Sequence, residues 1–441
     1  MKNLSAFQLV IIGLFLLFLV VGTLIFAGIL PGFRPPAGGA AGELVVWGPV
    51  PEIAMRPIID QFNKDYKDYF TLRYEEKASA IFEREFVEAK ADNRAPDLLF
   101  LPHELAFTQR ARLAPLPPDF FSLRQFRDTF IDAGELLTDE TGVLALPLVV
   151  DPLVMYYNKS LLAEAGLPAA PRTWTEFKVK SIALTILDSR RNITRSAAAL
   201  GETRNIAHGK DLLAMLFLQA GNPILVRSGD GYGSALNQSF GTALKPAVAV
   251  LDFYTQFADP ARPSYSWNRS LPEARQAFIR GQTVFYFGYA SEYSTITREN
   301  PHLAFDAASV PQAEETNWPK LVLGRLLSLA AVRGGSRAAA AGQAAAAFAG
   351  PKSVSALAEA LFLPPARRDL LERGPENPVM TLFYRAAILA RAWPDPDPAG
   401  TKKIFETMIE SVVTGRLRSN EAVAEGDRQL QALLETIYGR N

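Results

Sequence analysis

The amino-acid sequence predicts an α/β chain of two lobes behind an N-terminal transmembrane helix. Three observations carry this reading. Apolar runs alternate with amphipathic stretches through residues 44–101, the 441 residues exceed one ordinary core of about 100 to 200, and residues 9–30 are almost wholly apolar.

Residues 9–30, LVIIGLFLLFLVVGTLIFAGIL, carry no charge. As a helix rising about 1.5 Å per residue they reach across a hydrocarbon core of about 30 Å. The run is longer than the roughly 7 to 15 residues of a signal-peptide core, so it reads as an uncleaved anchor; the small residues at 37–42 offer the competing reading, a processing site. Lys2 precedes the run and Arg34 follows it, and the amino terminus with Lys2 biases the orientation toward N-inside. The folded part then lies outside the cytoplasm. Residues 31–43, rich in Pro, Gly and Ala, read as a flexible tether.

Folding begins at residues 44–47, LVVW, a buried strand ended by Gly48-Pro49. A helix with Ile53, Ile58, Ile59 and Phe62 follows, then the alternating TLRYEE of residues 71–76, a helix over 80–91, and the strand LLFL at 98–101. Strand, helix, strand, helix, strand builds a parallel sheet, and ligands of such sheets sit beyond the carboxyl ends of the strands. That rule selects Trp47 and Glu52 in one loop, and His103 and Glu104 in another.

Residues 143–177 supply the change of lobe. A strand over 144–150, interrupted by Pro147, stops at Asp151-Pro152, and a second apolar run occupies 153–157. A short helical pattern, Gly166 and a Pro-rich spacer lead to Thr173, three residues before Glu176, the spacing of a capping box. Asp151 is the expected pivot. From residue 175 the chain reads as mainly helical, with a loop or short hairpin at 221–241. Residues 270–296 give a helix, a stop at Gly281, an aromatic strand and a break at Gly288. Strands at 303–311 and 326–332 are expected to return to the first lobe, followed by an Ala-rich helix. The expected divisions are an anchor (9–30), a tether (31–43), the first lobe (44–149), the second lobe (150–301), a return to the first (302–345) and second-lobe C-terminal helices (346–441).

Lys+Arg and Asp+Glu are both 46, which gives no basic surface for nucleic acid. The chain has no cysteine and only three histidines, so disulfides, thiol nucleophiles and thiolate metal sites are excluded. No nucleophile elbow, phosphate loop or zinc-protease motif is present, and neither enzymatic activity nor a cofactor is expected.

Several segments resemble the bacterial family 1 extracellular solute-binding proteins, the maltose-binding-protein-like group. They are Ala95-Pro96-Asp97-Leu98, Tyr157-Asn158-Lys159-Ser160-Leu161, Thr173-Trp174-Thr175-Glu176-Phe177, Ala277-Phe278 with Gly281, and Gly415 with Glu421-Ala422. Gly288-Tyr289 stands where the family carries G-x-W or G-P-W, and the proline-interrupted residues 392–398 resemble its cleft-lining loop. The resemblance implies a type II periplasmic-binding-protein-like fold. It further implies a monomer that captures a solute between its lobes and delivers it to the permease subunits of an ABC importer. The candidate cleft combines the rings of Trp47, Tyr156, Tyr289 and Trp393 with Glu52, Glu104, Asp151 and Asp395, beside His103 and Gly288. Rings that pack on C–H faces and carboxylates that take hydroxyls suit a carbohydrate. Two alternatives stay open: ferric iron or a polyamine in the same fold, and a ligand-sensing module signalling to a membrane partner. Tyr156 and Tyr157 point to opposite faces of a strand, which opposes joint chelation of one ion.

Overall fold

The computed structural model describes residues 42–228, 231–241, 245–314, 320–375 and 377–438. The expected anchor and most of the tether lie outside these residues; among the described ones, no helix is long and apolar enough to cross a membrane. The first strands and helices follow the sequence pattern closely. β1 (Glu43–Gly48), α1 (Glu52–Tyr66), β2 (Thr71–Glu76), α2 (Phe82–Ala91), β3 (Leu98–Pro102) and α3 (His103–Thr108) succeed one another. β1 lies between β2 and β3, parallel to both. The first-lobe core forms where Phe62 and Phe100 both pack on Phe348 of the Ala-rich helix, with ring centroids 5.3 and 5.2 Å apart.

The crossing between lobes is one strand, not the expected two. β4 (Leu146–Asn158) runs unbroken through both prolines. Each proline sits where the ladder does not need its missing N–H: Pro147 lies beside the register shift between Leu327 and Ser328, and Pro152 lies where the strand changes neighbours. Asn158 caps the next short helix by accepting from the Leu161 N–H. Thr173 likewise accepts from the Glu176 N–H, but the Glu176 carboxylate reaches back to the N–H of Arg172, one residue before the position a capping box requires.

The second lobe is built on β5 (Ile193–Ala198), the hairpin β6 (Leu225–Ser228) and β7 (Gly231–Ser234), β8 (Thr283–Tyr289) and β9 (Phe305–Ala308). β5 and β8 are parallel. β10 (Val322–Val332) then returns to the first lobe between β3 and β4, antiparallel to both. The proximal half of β4 pairs with β10, and its distal half with β8 on one side and β9 on the other. The strand expected at 303–311 therefore stays with the second half of β4, because β10 leaves that edge open beyond Gly324. Among the described residues eleven strands join one sheet: eight follow the order β2-β1-β3-β10-β4-β8-β5 and Ile186–Leu187, β9 pairs beside β4, and Leu113–Ala114 and Ala390–Arg391 pair beside β10. Phe177 centres the second-lobe core, fully buried against Trp174, Phe257, Phe285 and Phe287 at 5.4 to 5.8 Å.

Candidate functional site

Sheet register determines where the two lobes can meet a ligand. Pro102, the last residue of β3, lies opposite Leu327, while Tyr289, the last of β8, lies opposite Leu153. Between these points Asp151 faces Arg325 and Pro152 faces Gly324 across the β4–β10 ladder. The carboxyl ends of parallel strands from both lobes thus converge on the crossing at Asp151 and Arg325, the arrangement that creates binding crevices in open α/β sheets.

Arg325 projects from a first-lobe strand and is held by the second lobe. Its guanidinium donates to Asp211 Oδ2 at 2.6 Å and lies 3.9 Å from the centroid of the Tyr289 ring. Asp211 opens α4 (Gly209–Gln219) and also accepts from the Tyr289 hydroxyl at 2.9 Å. Burial pushes the Asp211 carboxyl up, but Arg325, Lys210, the Tyr289 hydroxyl and His208 outweigh it and hold the group below its ordinary range. Burial also opposes the Arg325 charge, and Tyr289 with the carboxylates of Asp211, Glu104 and Asp151 more than offsets that. Arg325 keeps 44% of its side chain exposed.

Around this pair the charges are ordered. Lys210 bonds Asp395 Oδ2 at 2.5 Å, and Asp395 also accepts from the Thr401 hydroxyl at 2.8 Å. Burial raises the Asp395 carboxyl despite both partners. His208 Nε2 sits 2.6 Å from Glu292 Oε1, which also takes the N–H of Tyr289 at 2.9 Å, while Glu292 Oε2 accepts from the Tyr286 hydroxyl at 2.6 Å. A side chain at Gly288 would place its Cβ 2.5 Å from the Tyr286 ring and 3.0 Å from Glu292 Oε1, so glycine is what lets Glu292 reach the strand end. His103 Nδ1 accepts the Leu326 N–H at 3.2 Å, which leaves its proton on Nε2. Burial keeps the ring neutral, so its approach to Glu104 is not an ion pair.

The site residues expected from sequence divide into three groups. His103, Glu104, Asp151, Gly288, Tyr289 and Asp395 gather around Arg325. Trp47 and Glu52 form a separate group: the Lys77 ammonium lies 4.1 Å from the Trp47 ring centroid, and Glu52 is exposed and paired with Arg56. Among the described residues no hydrogen bond, ion pair or ring contact joins that group to Arg325. The third group, the rings, shares Tyr289 with the first and corrects the expected ring platform. Tyr156, Tyr289 and Trp393 are 0%, 1% and 4% exposed, so none offers a free face. Tyr156 is covered by Tyr286 at 6.1 Å and spends its hydroxyl on the Tyr289 carbonyl; Trp393 stacks on Phe405. Burial raises the Tyr156 phenol well above its ordinary value, which opposes tyrosinate chelation of iron.

Sequence reasoning missed Arg325, Lys210, Asp211, His208 and Glu292. The strand-end rule would have reached Lys210 and Asp211 had residues 193–198 been recognised as a strand. Arg325 carries no local signal, because its importance comes from facing Asp151 across the ladder.

Asp151 is partly buried at the change of lobes, where it accepts the Ser291 N–H at 2.9 Å. Burial raises its carboxyl to about 6 against the pull of Ser291 and Arg325, and Glu292 adds to the rise. The folded state therefore holds this proton more tightly than the unfolded chain does. The stability it contributes is complete below the ordinary value of 3.8 and lost as pH rises through about 6. Asp151→Asn keeps the acceptor and removes the charge. Its stability relative to the wild type is expected to improve by about 2 kcal/mol between pH 4 and pH 7.5, read by urea denaturation at both values. A pH-independent difference would contradict this.

The two-lobe α/β architecture, with charged and polar groups converging at the lobe crossing, defines a periplasmic-binding-protein-like fold. The chain belongs to the bacterial extracellular solute-binding protein family, whose model matches residues 57–380. Members of this family bind and carry solutes, and are not enzymes. No curated protein sequence matches the chain. Among solved structures it is similar to a cyclo/maltodextrin-binding protein complexed with maltotetraose, at 13% identity and a TM-score of 0.72, over 91% of this chain and 99% of that one. It is also similar to the sugar-binding protein MalE from Xanthomonas citri, with 18% identity, a TM-score of 0.72, and 89% and 98% of the two chains covered. The GacH receptor of Streptomyces glaucescens GLA.O, solved unliganded and with acarbose, gives 17% identity and a TM-score of 0.67 over 89% and 98%. At these identities the likeness establishes the fold.

Proposed function

We infer that the protein is a membrane-tethered solute-binding component that captures a sugar or oligosaccharide between its lobes and delivers it to an ABC importer. The observation that carries this reading is the convergence of strand ends from both lobes on Arg325 and Asp151. Glu104, Asp151 and the exposed edge of Arg325 supply acceptors and donors for hydroxyls. The solved relatives named above hold maltotetraose and acarbose, which supports the carbohydrate class. Residues 9–30 serve as the anchor and 31–43 as the tether, and the protein acts as a monomer. We place the first lobe at 44–149 and the second at 150–301. The return to the first lobe falls to β10 within 302–345, and of the helices expected in the second lobe at 346–441, Pro351–Leu361 joins the first lobe instead, because Lys352 pairs with Asp65 of α1. Trp47 and Glu52 would reach a ligand only if it extended along the first lobe.

Binding by both lobes at once favours their closed arrangement, a shift of population with the β4–β10 crossing as pivot. The test is a thermal-shift screen of the full chain in detergent against mono- and oligosaccharides, polyamines and ferric citrate. A sugar at a hundred times its dissociation constant is expected to stabilise the protein by about 2.7 kcal/mol. Arg325→Met should abolish that shift. A response to a polyamine or ferric citrate alone would keep the fold and overturn the ligand class.

A further inference from the structure

Side chains of the two lobes also meet directly at a second place, apart from the β4–β10 ladder. The first lobe contributes Phe107, in α3, and Arg110 just beyond it. The second contributes Tyr232, in the β6–β7 hairpin, and Tyr438, the last residue of α8, for which α5 (Glu292–Glu299), α6 (Pro351–Leu361) and α7 (Pro398–Val413) precede α8 (Ser419–Tyr438) in the chain. Phe107 and Tyr232 pack edge to face with centroids 5.6 Å apart. The Arg110 guanidinium lies between rings from opposite lobes, 5.0 Å from the centroid of Phe107 and 5.5 Å from that of Tyr438. Tyr232 and Tyr438 are 6.3 Å apart, and Arg227 of the hairpin reaches to 3.7 Å from Glu140 in a first-lobe turn.

The hairpin moves with the second lobe. Ser234 donates its hydroxyl to Asp427 at 2.6 Å and its N–H to Gln431 at 3.0 Å, both on α8. A Cβ at Gly231 would stand 2.9 Å from the Tyr438 ring, so glycine allows the hairpin to lie against the helix end. Beside these contacts a cavity of about 260 Å³ opens, lined by Arg110, Asp139, Glu140, Thr141, Arg227 and Tyr232. The lobes thus touch here at discrete points, not along a packed seam. Parting them would expose the faces of Phe107 and Tyr232 to water and remove Arg110 from one of its two rings. Closure therefore has an attraction of its own that involves no ligand atom.

We propose that Phe107, Arg110, Tyr232 and Tyr438 form a clasp whose contacts favour the closed arrangement of the lobes on their own account, so that opening the clasp gates ligand entry and release. Any contact present only in the closed state shifts the open–closed equilibrium by its own free energy, whatever the ligand is. The clasp is thereby independent of the carbohydrate reading above and can be tested without a ligand.

The absence of cysteine allows clean spin labelling. Cysteines replace Arg124 of the first lobe and Arg428 of the second, whose side chains are 93% and 72% exposed. Interlobe distances are then measured by double electron–electron resonance on the full ligand-free chain in detergent. The otherwise unaltered protein should give a measurable short distance beside the long one. Tyr232→Ala should raise the ratio of long to short distances about tenfold, the equivalent of about 1.4 kcal/mol. Arg227→Glu should raise it less, and Arg227→Glu with Glu140→Arg should restore it. Tyr232 is partly exposed, so its truncation leaves both cores intact, which circular dichroism verifies. No detectable short distance before any clasp substitution, or identical distributions with and without Tyr232→Ala, would overturn the clasp.

Discussion

Replacing Lys210 with methionine is expected to cost about 3 kcal/mol of folding stability, while replacing Lys210 and Asp395 together with Met and Leu recovers most of it. The Lys210 ammonium and the Asp395 carboxylate are 2.5 Å apart, with side chains only 15% and 2% exposed. Breaking such a pair from one side strands a buried charge, at about 3 to 5 kcal/mol; removing both charges avoids that penalty. The lower end applies because Asp395 keeps the Thr401 hydroxyl. Burial already raises the Asp395 carboxyl with Lys210 present, so loss of the ammonium raises it further. The deficit of Lys210→Met should therefore be largest at neutral pH and shrink as acid neutralises Asp395. Urea denaturation at pH 7.5 and pH 4.5 reads both effects. A single variant within about 0.5 kcal/mol of the wild type at pH 7.5 would remove the pair from the account of this site.

The second large effect is expected at Gly201, on the loop that carries β5 into α4. Its φ of +92° is one that side chains resist, and a Cβ there would meet the Ala258 N–H nitrogen at 2.6 Å, the Ala258 Cβ at 2.9 Å and the Tyr254 carbonyl at 3.0 Å. Two of these are backbone atoms, so no rotamer change relieves the clash. Gly201→Ala should cost about 3 kcal/mol, combining roughly 1 to 2 of left-handed strain with overpacking of about 1 to 3. Gly221→Ala is the matched control. Its φ is +76° with nothing within 4 Å, so only the backbone term of about 1 kcal/mol remains. Equal costs at the two positions would assign the whole effect to backbone conformation. Because Gly201 precedes Glu202, whose carboxylate holds Arg269 at 3.1 Å, and then the start of α4, its substitution should also weaken ligand binding through Lys210 and Asp211.

Much of this fold is legible in residue patterns. Apolar runs bounded by Gly48-Pro49 and Pro102 specify β1 and β3, since a short run with a helix breaker at its end has few other ways to bury itself. The aromatic run before Gly288 specifies β8 for the same reason. β5 escapes such reading: Ile193–Ala198 is ITRSAA, short and weakly apolar, and becomes a strand by pairing with β8. The candidate site was legible as a place more than as a set of contacts. Strand ends brought His103, Glu104 and Tyr289 to it, but whether an aromatic ring faces ligand or core depends on what packs over it.

By itself the sequence determined the alternation of strands and helices, the change of lobe near Asp151 and the absence of thiol chemistry, because these follow from local pattern and composition. Only the tertiary structure decided that β4 continues through two prolines, that Tyr156, Tyr289 and Trp393 are buried, and that Arg325 faces Asp151 while holding Asp211. Those facts depend on pairing between segments about 110 to 180 residues apart in the chain. Burial and charge pairing are properties of that juxtaposition, and no local stretch of residues encodes them.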